Sequence, residues 1–412
     1  MLKIERIYGD EVLDSRGNPT VSVTAVLSSG AAGTAISPSG ASTGKYEAYE
    51  KRDGDKERYG GKGVKNTLSA IKKEIEPKLK RLENITLRAC DRYLLEIDGT
   101  ENKQNLGANL TLAVSMALSR ALANHYNMPL FKYLGGASAL NLPVPMMNII
   151  NGGAHAGNNL DIQEFMIVPV GLGSYRERLR AGSEVYHSLK NILSLKGSAT
   201  SVGDEGGFAP NLRSHEEAIE LILEAVRKAG YSENDIKIAL DAAASEWCKE
   251  NSEKYVMPKT GREFTKDELI EYWVNLVNKY PVISIEDPFG EEDFESFKKL
   301  TGRVGNKIMI VGDDLFVTNK KRLQKGIKEN AGNAILIKPN QIGTISETIE
   351  TVILAKKNGF TPIISHRSGE SEDAFIADLA VALNSPFIKA GAPARGERVA
   401  KYNRLLKISN MI

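Results

Sequence analysis

The sequence predicts an α/β fold: a barrel in the irregular order ββαα(βα)6, preceded by an α+β domain with a three-stranded antiparallel sheet and helices. Two observations carry that expectation. Six short apolar runs each lead to an ionisable residue: IKIAL to Asp241, VISI to Glu286, IMIVG to Asp313, AILI to Lys338, TPIIS to His366 and PFI to Lys389. The steps between those ends are 45, 27, 25, 28 and 23 residues, and all but the first suit one strand, one crossover helix and two short loops. An open doubly wound sheet competes with this arrangement. A closed barrel, however, brings six successive strand ends to one rim by construction.

In chain order, residues 1 to about 37 alternate in the β period as KIERIYGDEV, TVSVTAVL and AAGTAI, with turns at Gly17-Asn18-Pro19 and Ser29-Gly30. The Ser/Gly-rich stretch PSGASTGKYEAYE then reads as a loop. An amphipathic helix spans Gly63 to Leu82, interrupted or restarted near Pro77, and a second runs from about Thr86 to Ile97. Asn109 to His125 is Ala/Leu-rich and central to this domain. The change of style near PLFKYLGGASALNLPVP sets the domains at 1–135 and 136–412.

The second domain opens with VPMMNIINGG and DIQEFMIVPV, too close together to enclose a crossover helix, so they are expected to pair antiparallel. Helices follow at about 174–195 and 215–229, flanking the glycine-rich SVGDEGGFAP. The long first step holds AAASEWCKENSEKYVMPKTGREF, read as a loop or hairpin. Met146, Met147 and Met309 read as core, and His125, His187 and His215 are given no role.

Fifty-four basic and 52 acidic residues nearly cancel, so bulk charge recruits neither nucleic acid nor membrane. Two distant cysteines lack metal-site spacing and imply a reducing compartment. No apolar stretch reaches the length of a membrane span, and MLKIERIYGD reads as a strand, not a leader. A soluble, cytoplasmic protein is expected.

Asp241, Glu286 and Asp313 end neighbouring strands without Cys or His nearby, which points to a hard cation, Mg²⁺ before others. Each acid alone could equally be a helix cap or an ion-pair partner; three on one rim favour the metal. Asp287 and Asp314 read as structural neighbours. Lys338, near cations and desolvated, is a proton-abstracting candidate, and Lys389 could hold a substrate carboxylate, with snorkelling as the bland reading of either. His366-Arg367-Ser368 offers a guanidinium fork and a hydroxyl suited to phosphate. Ser42 in SGASTG could reach a metal or phosphate. His155 in GGAHAGNN precedes Glu164 by nine residues, which puts both near the first barrel strands.

These residues carry a resemblance. DSRGNPTV, SGASTG, DGTENK, LGANLTLAVS, HAGN, QEFMI, VGDEGGFAP, SIEDPF, VGDDL, IKPNQIGT, SHRSGE and GAPARGERVAKYN look like motifs of the enolase family, along essentially the whole chain. The resemblance implies a TIM-type barrel with a capping domain and the reversible dehydration of 2-phospho-D-glycerate to phosphoenolpyruvate. It implies two Mg²⁺ per site, the tighter on Asp241, Glu286 and Asp313, the second bound with substrate and helped by Ser42. Lys338 matches the general base and Glu205 the general acid, with Glu164 supporting it. His155, Glu164, Glu286, Asp313, His366, Arg367, Ser368 and Lys389 match substrate-binding groups. A homo-oligomer, dimer or octamer, is implied, and some members have secondary surface pools and partners. Ser22 stands where many relatives carry Glu, a change that could alter a subunit contact. A sibling enzyme of the mandelate-racemase or muconate-cycloisomerase kind would share the barrel and acids but not need the Ser42 loop. A non-catalytic binding or structural protein would be expected to have lost some of the matched residues.

Overall fold

A computed structural model describes residues 2–40, 44–83, 85–248 and 254–412. The described chain forms two compact units, one of Met1–Asn141, Ile337–Leu354 and His366–Asn384, the other of Leu142–Leu336, Ala355–Ser365 and Ser385–Ile412.

In the first unit β1 (Ile4–Leu13), β2 (Pro19–Leu27) and β3 (Ala32–Ile36) form the expected antiparallel sheet in sequence order. The helix Ala108–His125 lies directly on it. A Cβ on Gly33 would meet Ala117 O and Ala121 N at 2.4 Å, so only glycine allows this approach of strand and helix backbones. The stretch Lys65–Leu79 is helical throughout, but its middle, Ile71–Ile75, widens into a π turn. Pro77 explains this: it has no N–H for the bond four residues back and its ring crowds that carbonyl, which a wider turn accommodates.

Helix Leu87–Asp98 starts on Thr86, whose hydroxyl accepts Ala89 N at 3.2 Å. It carries Asp91, only 1% exposed, whose carboxylate accepts Ser346 N at 2.9 Å near the start of helix Ile345–Lys357. Burial pushes this carboxyl up to about 6, against the hydrogen bonds from Ser346 and Ser115. An unfolded aspartate titrates near 3.9, so between about pH 4 and 6 the folded chain binds the extra proton and stability falls as pH rises. The loss is on the order of 3 kcal/mol once complete, and an asparagine escapes it. Asp91→Asn is therefore expected to gain stability over the parent as pH rises from 4 to 8, read from urea midpoints. A difference that does not vary with pH would refute the assignment.

In the second unit the barrel strands are β4 (Val144–Asn151), β5 (Glu164–Val168) and β6 (Lys237–Asp241), followed by a small hairpin of β7 (Lys254–Val256) and β8 (Glu263–Thr265). Then come β9 (Val282–Glu286), β10 (Met309–Gly312), β11 (Ala334–Ile337), β12 (Thr361–Ser365) and β13 (Phe387–Lys389). The eight barrel strands close in the order β10-β11-β12-β13-β4-β5-β6-β9. With helices Tyr175–Leu195 and His215–Lys228 between β5 and β6, the order is ββαα(βα)6, and β5 runs antiparallel to both neighbours. The hairpin fills the long step before β9. Met146, Met166, Val168, Ala239, Val311, Ala334, Leu336 and Ile363 form a core cluster, with Met309 packed against it. Met147 is fully buried. Among the described residues no helix is long and apolar enough to cross a membrane.

Candidate active site

Strand register places the first acids. Glu164 pairs with Asp241 across β5 and β6, and Asp241 with Glu286 across β6 and β9. Directly opposed residues on neighbouring strands share a face, so the three carboxylates form one row. Glu164 begins its strand whereas Asp241 and Glu286 end theirs, because β5 is reversed. Lys389, the last residue of β13, reaches this row. Its ammonium donates to Asp241 Oδ2 at 3.0 Å and to the two Glu286 oxygens at 2.9 and 3.0 Å, and pairs with Glu164 Oε2 at 3.1 Å.

Lys389 is 2% exposed. Burial opposes its charge, but Asp241, Glu164 and Glu286 outweigh burial and hold the ammonium well above the ordinary lysine range. Glu164 is pushed well above the usual carboxylate range by burial and then by the charge of Glu205, against the pull of Lys389. Gln163 donates to Asp241 Oδ2 at 3.4 Å, and Ala243 N to Asp241 Oδ1 at 3.0 Å.

Glu205 is held in the 203–207 loop, 2% exposed, where Asn148 of β4 donates to its Oε2 at 3.0 Å. His155 Nδ1 lies 3.6 Å from Glu205 Oε1 and 3.8 Å from Glu164 Oε1. His155, Glu164 and Glu205 thus converge, each offering one ligand atom within 4.8 Å of the others. Asp313 lies one residue past β10 and gathers with Asp287 and Asp314, again within 4.8 Å. Asp287 accepts the backbone N–H of Asp313 at 2.9 Å and of Asp314 at 2.8 Å. Burial, then Asp314, Asp313 and Glu286, push its carboxyl well above the usual range.

The remaining sequence candidates belong to the first unit. Lys338 follows β11 with extended backbone, φ −118° and ψ 102°, and opens a short turn at Pro339–Gln341. His366, Arg367 and Ser368 follow β12 and are buried. The Arg367 fork pairs with both oxygens of Glu47 at 2.8 and 3.2 Å, and Nη1 meets Asn340 Oδ1 at 3.3 Å. Gly369 and Ser39 exchange backbone hydrogen bonds of 2.8 and 2.9 Å. Ser42 lies outside the described residues.

Asn148, Gln163 and Glu47 touch these groups and were not anticipated. Asn148 and Asn151 are polar residues inside the otherwise apolar run VPMMNIIN, and an amide in a buried strand is a readable sign of a buried partner. Glu47 gives no such sign, because its partner lies 320 residues away.

The donors decide whether a divalent cation suits this place. Glu164, Asp241 and Glu286 set three carboxylates around one ammonium, and Asp313 brings an oxygen cluster of its own. Oxygen donors with surplus carboxylate suit a hard cation of the magnesium kind. The residues fit such an ion.

Residues 4–134 match the family model described as "Enolase, N-terminal domain", and residues 139–412 match "Enolase, C-terminal TIM barrel domain". The chain belongs to the enolase family. It is accordingly an enzyme of the lyase class on a TIM-type barrel, with phosphoglycerate- and phosphoenolpyruvate-type substrates. In enolase terms, the carboxylate row and Lys389 stand on the barrel's own strands and owe nothing to the hairpin or outer helices.

Proposed function

We propose that this chain catalyses the reversible dehydration of 2-phospho-D-glycerate to phosphoenolpyruvate and water. The observation that carries this reading is the buried row Glu164–Asp241–Glu286 around Lys389 in a chain of the enolase family. A proton beside a carboxylate is very weakly acidic, since its removal leaves two negative charges on one small group. A site for that reaction needs fixed positive charge where the second charge develops. Lys389, held ionised by its three neighbours, supplies a protein cation for the substrate carboxylate.

In this reading Lys338 takes the C2 proton and Glu205, steadied by Asn148 and supported by Glu164, gives a proton to the departing C3 hydroxyl. His155, His366, Arg367 and Ser368 bind and orient the substrate, the guanidinium and hydroxyl taking its phosphate. Asp241, Glu286 and Asp313 would hold the tighter Mg²⁺, and Ser42 would help hold a second that arrives with substrate. When bound, the ions neutralise the charge that develops on the substrate carboxylate. A division at 1–135 and 136–412, assembly as a dimer or octamer, and a cytoplasmic location belong to the same proposal.

Addition of 2-phosphoglycerate with Mg²⁺ is expected to raise the ultraviolet absorbance of the enol product. Chelation of the metal is expected to stop that rise, and restoring Mg²⁺ to resume it. No turnover at saturating Mg²⁺ would refute the reaction.

A further inference from the structure

Asp287 follows Glu286 in a conformation that few side chains adopt, with φ +40°. Such backbone is strained and persists where surrounding contacts over-determine it. Here they do. The Asp287 N–H donates to Val311 O at 3.0 Å, and its carbonyl accepts Ala244 N at 3.0 Å. Its carboxylate, 3% exposed, caps the amides of Asp313 and Asp314 with one oxygen each. One residue therefore ties together the ends of β6, β9 and β10, the strands that bring Asp241, Glu286 and Asp313.

The choice of a carboxylate is informative. Two N–H groups aim at two oxygens, which a carboxyl group supplies and a carboxamide does not. An asparagine would keep one bond and turn an NH₂ against the other donor.

We propose that Asp287 is a positioning residue that fixes the separation of Glu286 and Asp313 and thereby sets the affinity of the divalent-cation site. This rests on the reading that Asp241, Glu286 and Asp313 hold the ion. Titrating Mg²⁺ into the full chain without substrate, by calorimetry, tests it. Asp287→Asn is expected to weaken binding about 10–100-fold, the usual cost of losing a group that orients a metal ligand. Turnover by that variant at saturating Mg²⁺ is expected to return to within a few-fold of the parent.

Asp314→Asn removes a negative charge from the same cluster but keeps both backbone donors, and is expected to weaken binding less than about fivefold. Equal losses in the two variants would assign the effect to charge and overturn the positioning role. So would an unchanged Mg²⁺ affinity in Asp287→Asn. A parent chain that binds no Mg²⁺ would overturn the ion site itself, a distinct result. Should Asp287→Asn not fold, the parent still decides: the amides of Asp313 and Asp314 are expected to exchange with solvent at least about a hundredfold more slowly than free amides. Fast exchange there would overturn the proposal.

Discussion

Replacing Lys338 by alanine is expected to slow dehydration about a thousandfold to ten-thousandfold, the range for losing a positioned general base. It is also expected to abolish exchange of the C2 proton of 2-phosphoglycerate with deuterated solvent. The backbone here is set independently of the amine. Lys338 has extended dihedrals before Pro339, and its carbonyl accepts Gln341 N at 2.9 Å. Alanine therefore removes the amine without forcing the backbone from this path, and Mg²⁺ binding without substrate is expected to survive. Normal C2 exchange in Lys338→Ala would remove this residue from its proposed role, whatever happened to turnover.

Replacing Lys389 by methionine is expected to destabilise the metal-free chain by about 3–5 kcal/mol, the cost of stripping the partner from a buried charge. Methionine keeps most of the side-chain length while leaving Glu164, Asp241 and Glu286 facing one another without their ammonium. The penalty is expected to shrink as pH falls, because Glu164, already pushed up by burial and Glu205, takes a proton first. Mg²⁺ is expected to restore part of the loss by supplying the missing positive charge to the same carboxylates. Denaturant midpoints in chelator and in Mg²⁺ measure both effects. A metal-free variant as stable as the parent at neutral pH would show that the ammonium does not hold the row together.

Much of the barrel was legible because a strand, a helix and two loops occupy a nearly fixed length of chain, and the ends from Glu286 through Asp313, Lys338 and His366 to Lys389 keep that beat. The antiparallel β5 was legible for the converse reason, that too few residues separate it from β4 to hold a crossover. The partners of each acid were not legible. Strand ends say that Asp241, Glu286 and Asp313 share a rim, but register decides that the first two line up with Glu164. Asp313 falls beyond its strand, where the turn at Asp287 gathers it. The pairing of Arg367 with Glu47 escaped because Arg367 reads as a phosphate fork and Glu47, 320 residues away, looks like an ordinary charge in its own stretch of sequence.

The reversal of β5 also governs where this chain can change length. Because that strand enters the barrel at the rim where Asp241 and Glu286 stand, the connection 152–163 belongs to the chemical end of the molecule and carries His155. The connection 169–174 emerges at the far end. A change of length between His155 and Glu164 is therefore expected to disturb the carboxylate row more than a change of equal length at 169–174, although Gly171, packed against the backbone of Asn234, constrains that connection too.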